Sequence, residues 1–129
     1  MASNAVLSGR AARIAVWFLR VLVGVAFLFF AFMKLSGQPN MVAEFDTVGL
    51  GQWFRYFTGG LELVGGIAVL VPRTSVFGAV LLLIVDIGAF IAQVAILHMD
   101  WIHCVVIAAL LVVLIVLQRS ALRRTAAFA

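Results

Sequence analysis

Gly59-Gly60-Leu61-Glu62-Leu63-Val64-Gly65-Gly66 puts one carboxylate in the middle of an otherwise apolar segment. An ionisable group inside a membrane-spanning stretch is costly, so it faces a helix-bundle interior or a wet cavity and takes a partner. On a helix, Gly59, Gly65 and Gly66 lie three or four residues from Glu62 and share its face. Glycines there let a neighbouring helix approach closely. The stretch therefore reads as a packing seam with a charge in it.

Composition extends this reading outward. Of 129 residues, 66% are hydrophobic and 11% charged, and the mean hydropathy is +1.24. A soluble domain would carry about a quarter charged residues. The whole chain, 1–129, is accordingly expected to be one membrane domain. The net charge of +4 does not point to nucleic acid, because the basic residues sit at the edges of apolar runs, where membrane topology accounts for them. Cys104 is the single cysteine, so neither an internal disulfide nor a CxxC pair can form. Arg10 and Arg13 resemble the start of a signal peptide. The apolar run behind them contains Arg20 and is too long to be one, so a retained helix is expected.

Four apolar runs are expected to span the bilayer, at about 14–33, 53–71, 75–97 and 102–117. The first has the length that a core of roughly 30 Å requires, and Lys34 closes it in a position to snorkel to the interface. Pro72-Arg73 makes a very short link, so the second and third spans form an antiparallel hairpin. In the first connection, Met41, Val42, Phe45 and Val48 recur at helical spacing, with Glu44 and Asp46 on the other side. That pattern predicts a short amphipathic helix on the membrane surface. Trp53 and Tyr56 mark an interface belt. The expected fold is all-α: an integral membrane four-helix up-down bundle with that amphipathic helix in its first, outer loop. Arg10, Arg13, Arg73, Arg119, Arg123 and Arg124 fall on one side, which places both termini in the cytoplasm.

Counted at 1.5 Å per residue from that side, Arg20 lies roughly 10 Å deep, Glu62 roughly 13 Å and Asp86 roughly 16 Å. An Arg20–Glu62 pair is therefore expected, with Asp86 beside it. Arg20, Gly24, Phe27, Ala31 and Lys34 form one stripe on the first helix, and Ala79, Asp86 and Gln93 form another on the third. The fourth helix should supply mainly apolar surface. A buried Arg–Glu pair commonly serves only to fix helix register. Asp86 is left over, and a surplus acid in the membrane is the better functional lead. Glu62 and Asp86 are thus the candidate catalytic, proton-handling residues, and Arg20, Glu62, Asp86 and Gln93 the candidate ligand-binding set. His98 and His103 are weak candidates for a metal, since their spacing matches no recognised ligand pattern.

Arg20-x3-Gly24-x2-Phe27, Lys34-Leu35 with Gly37 and Pro39, Phe45 with Gly49-Leu50, Gly59/Gly60-x-Glu62-x2-Gly65-Gly66, Pro72-Arg73 and Gly78-Ala79 together resemble the signature of the DoxX-like proteins. The likeness covers about residues 16–95, with Ala31 where the family usually has glycine. It implies a four-helix protein of the bacterial cytoplasmic (inner) membrane. Some relatives are subunits of a thiosulfate:quinone oxidoreductase, and others belong to membrane-associated oxidoreductase complexes. The function expected first is a small membrane subunit of a redox system that binds a quinone or a similar lipid-soluble molecule. Its partners would be the lipid bilayer, a membrane or peripheral protein carrying the redox centre, and a second copy of the chain as a further candidate. A stand-alone isomerase or hydrolase of an apolar substrate is the first alternative, and a non-catalytic scaffold or assembly factor the second. No other cofactor is evident in the sequence, and whether the chain is catalytic stays open.

Overall fold

The computed structural model describes residues 7–128, with side chains placed for residues 9–118. The described residues contain helices and no strand. A π-helical turn, Leu7–Ala11, leads into α1 (Ala12–Leu35). Then come α2 (Pro39–Val48), α3 (Gln52–Leu70), a 3-10 turn (Pro72–Thr74) and α4 (Ser75–Ile91). A second π-helical turn, Ala92–Leu97, extends α4, and α5 (Ile102–Phe128) follows. Side chains beyond Gln118, including Arg119, Arg123 and Arg124, lie outside the described residues, as do residues 1–6.

Local chemistry sets these boundaries. Pro39 opens α2 at a position where its missing N–H costs nothing. Gly49 closes it at φ 86°, the left-handed conformation that glycine adopts freely. Asp100 Oδ1 accepts the Ile102 N–H at 2.9 Å and so satisfies a free donor at the start of α5.

Four long helices pack in a ring: α1 on α3, α3 on α4, α4 on α5, and α5 back on α1. Val23, Phe27, Val69, Ala79, Leu82, Leu111 and Leu114 form the packed centre. The outward faces are also apolar, with Phe18 66%, Phe29 57% and Phe32 62% exposed on α1 alone. A helix that is apolar all round belongs in a large core or in lipid. Two helical stretches, Gly9–Leu35 and Pro72–Leu97, are long and apolar enough to cross a membrane unaided, and the apolar part of α5, Ile102–Gln118, is shorter. α3 carries Arg55 and Glu62, both buried.

Glycine contacts fix the vertical register. A methyl group on Gly24 would strike Leu70, one on Gly66 would meet Leu28, and one on Gly59 would meet Leu35. Each step down α1 is thus matched by an equal step up α3. This antiparallel register brings Glu62 level with Ala31 and Phe32, and Arg20 level with the turn at Thr74. On the other side, Gly65 receives Leu82 and Gly78 receives Val69, so Glu62 lies level with Val85 and Asp86.

Candidate functional site

Lys34 Nζ lies 2.8 Å from Glu62 Oε1, and both side chains are largely buried. This replaces the expected Arg20–Glu62 pair. Arg20 is fourteen residues before Lys34 on the same helix, about 21 Å along the axis, and the α1/α3 register carries it past the far end of α3. Lys34 does not snorkel outward but turns in from the end of α1. The contact has ion-pair distance without hydrogen-bond geometry, and Glu62 Oε1 receives no other donor among the described residues.

Arg20 belongs to a separate polar cluster. With the Gln118 amide turned so that its network is complete, the Gln118 oxygen accepts from Arg20 Nε at 2.7 Å and Nη2 at 2.9 Å, and its NH2 group donates to Ser75 Oγ at 3.2 Å. Ser75 and Gln118 are buried. α5 was expected to offer mainly apolar surface, yet it supplies this buried amide. No periodicity argument reaches Gln118, because it sits among arginines at the end of an apolar run.

Glu62 opens onto a cavity of about 490 Å³ bounded by α1, α2, α3, α4 and the start of α5. That volume lies within the range of small-molecule sites. Phe27, Phe30, Met33, Phe45, Phe54 and Leu61 are among its apolar walls. Lys34, Glu44, Thr58, Glu62, Asp86, Gln93, His103 and Cys104 bring polar atoms to it. Two further lining residues, Phe57 and Ile84, are more than half exposed. Asp86 is 5% exposed and has no ion pair or side-chain hydrogen bond among the described residues. Gln93 Oε1 is buried and likewise lacks a partner there. Of the four ligand-binding candidates, then, Glu62, Asp86 and Gln93 share one cavity, and Arg20 does not.

Gln93 reaches the cavity from the π-helical turn. Such turns insert an extra residue into a helix and recur at functional sites. The turn ends where Met99 N–H bonds Gln93 O at 3.0 Å and His98 takes a left-handed φ of 52°. His98 is thereby drawn off the helix and does not line the cavity, whereas His103 does. His103 Nε2 is 3.5 Å from Cys104 Sγ. No group of three or more potential metal ligands occurs among the described residues.

α2 lies across the cavity, with Met41, Glu44, Phe45 and Val48 lining it. The expectation that Glu44 faces away with Asp46 is corrected: Asp46 is exposed, but Glu44 is half-buried against the cavity. Burial pushes the Glu44 carboxyl above its ordinary range, and Lys34 and His103 partly oppose that rise. A carboxyl with a raised folded pKa favours the folded state below its unfolded pKa, and loses that contribution as pH rises through the folded value. Backbone amides of α2 should therefore exchange hydrogen faster, beyond the intrinsic base catalysis, on the alkaline side of the Glu44 titration. Glu44→Gln should remove that extra acceleration.

Arg55 holds this end together. It is buried, donates from Nη1 to the Lys34 carbonyl, and donates from Nε to Gln52 Oε1 at 2.7 Å. Its guanidinium stacks 4.3 Å from the centre of the Tyr56 ring. Gln52 Nε2 in turn donates to Val42 O at 3.0 Å, which ties α2 to α3. Arg55→Met should lower stability by about 1.5–3 kcal/mol, the scale of a charged hydrogen bond lost from a buried site. The measurement is the thermal midpoint in detergent.

The model of the DoxX-like family matches residues 18–117. The chain belongs to the DoxX-like family. This DoxX-like chain is also 30% identical over 73 residues to a Bacillus subtilis (strain 168) protein named "Putative oxidoreductase CatD". The match covers 57% of this chain and 54% of that protein, so the chain spans about half the length of the curated relative. No solved structure matches it. The family match takes in the Lys34–Glu62 pair, Asp86 and the whole cavity lining.

Proposed function

We propose that this DoxX-like chain is a four-span protein of the bacterial inner membrane with both termini in the cytoplasm. In this reading it serves as a small subunit of a redox system and binds a quinone or a similar lipid-soluble molecule in the cavity beneath α2. The observation that carries the reading is the cavity itself: aromatic and aliphatic walls around an unpaired buried acid, Asp86, with the Lys34–Glu62 pair alongside. Solid packing around these carboxylates would have favoured a scaffold. The name of the Bacillus subtilis relative adds support for redox chemistry.

Apolar walls take up the ring and tail of such a ligand. Asp86 lies within the same enclosure to accept or return a proton at a ligand oxygen, and its burial keeps bulk water from competing. Glu62, held by Lys34, keeps a second carboxylate and a cation at the same level. Electrons would come from a partner protein that carries the redox centre.

The test is quinone binding to the purified chain in detergent, followed by tryptophan quenching. On the reduced, hydroxyl-bearing form of the ligand, Asp86→Asn should weaken binding roughly tenfold, the scale of one hydrogen bond to a charged group. Arg20→Lys, outside the cavity, should leave it unchanged. Absence of binding to the wild-type chain, together with failure to co-purify any redox partner, would overturn the proposal.

A further inference from the structure

Resting on the proposed binding of a quinone-type molecule, we infer that the cavity selects the reduced, hydroxyl-bearing form of its ligand over the oxidised, carbonyl-bearing form. The argument is an inventory of donors and acceptors. A quinone carbonyl can only accept hydrogen bonds, whereas a quinol hydroxyl also donates one. The cavity is rich in acceptors that no donor among the described residues satisfies. Asp86 is 5% exposed, lines the space, and has no partner among the described residues. Gln93 Oε1 is buried with no hydrogen-bond partner among the described residues. Glu44 adds a third acceptor from α2.

The donors either carry an acceptor beside them or are already engaged. Lys34, the strongest of them, is drawn to Glu62 at 2.8 Å. Thr58, His103 and the Gln93 NH2 group remain; Thr58 and His103 can also accept, and the Gln93 amide brings its own acceptor. An acceptor-only head placed at Asp86 would leave the carboxylate buried and unsatisfied, facing a second acceptor. A hydroxyl head there satisfies it. Leaving a buried polar group unmade is the costly half of hydrogen bonding, so discrimination of this kind is strong where a site is built to receive a donor.

The experiment compares, without oxygen, a decyl-tailed, fully substituted benzoquinone with its borohydride-reduced quinol on the full chain in detergent. The quinol should bind roughly tenfold more tightly or better, and Asp86→Asn should shrink that ratio towards one. The wild-type ratio alone tests the inference should the variant fold poorly. Equal affinities, or tighter binding of the oxidised form, would overturn this inference and leave the proposed function standing. Failure of both forms to bind would overturn this inference, and failure to co-purify any redox partner as well would overturn the proposed function with it.

Discussion

Lys34→Met should destabilise the protein by about 3–5 kcal/mol, because it leaves Glu62 buried without its cation. The 2.8 Å contact joins the end of α1 to the middle of α3, where Glu62 is 4% exposed and receives no other donor among the described residues. The expected readout is a steep fall in folded, monodisperse protein and in its thermal midpoint. Glu62→Gln should cost less, since the Lys34 left unpaired sits at the end of α1, is 15% exposed and can turn towards water. The double change Lys34→Met with Glu62→Leu should recover most of the loss, because a buried pair replaced by apolar groups of similar volume is often neutral. A single variant as stable as the wild type would mean that the two groups do not meet.

Gly78→Ala should be the next most damaging change, although it adds only one methyl group. That methyl would lie 2.7 Å from Val69 N, 2.8 Å from Gly65 O and 2.9 Å from Ala68 Cβ. The first two are backbone atoms, which cannot rotate aside as a side chain does. α3 and α4 would have to separate, and in lipid such close packing is a main source of helix association. The expected cost is about 3 kcal/mol, the upper part of the range for an overpacked core. Gly60→Ala is the control. Nothing lies within 4 Å of the added atom, and alanine in a helix interior is favoured over glycine by about 0.5–1 kcal/mol. Thermal unfolding in detergent should rank the three proteins Gly60→Ala, wild type, Gly78→Ala.

These two sites also show what a one-dimensional reading can reach. The apolar runs and the stripe through Gly24, Phe27 and Ala31 on α1 follow from composition and helical spacing, and all three residues are buried. Ala79 and Asp86 were likewise assigned to the inner face of α4, and both are buried there. What periodicity cannot supply is the height of one helix against its neighbour. That offset comes from which glycine receives which leucine, and it decided that Lys34 rather than Arg20 reaches Glu62. A depth count from the two helix ends treats those ends as level, and here they are not. The face of α2 was misread for a related reason. Sorting residues into apolar and charged sides sends every acid outward, and Glu44 lines a cavity that already holds two other acids. Arg55 and Gln118 are buried polar residues at helix ends, where the same sorting treats them as water-facing.

The ion pair has a consequence for how the protein is made. On the proposed topology, α3 must enter the bilayer carrying Arg55 and Glu62, whereas α1 and α4 are apolar enough to cross alone. α1 leaves the ribosome first and arrives with Lys34 at its end. An acid or base at the centre of a membrane helix costs roughly 2.5–3.5 kcal/mol during insertion. A lysine already waiting beside the incoming segment offsets part of that penalty at the moment it arises. Biogenesis of α3 should therefore depend on α1. A fusion reporting translocation of residues 52–70 should insert poorly by itself and well behind residues 1–51, and Lys34→Met should weaken that assistance.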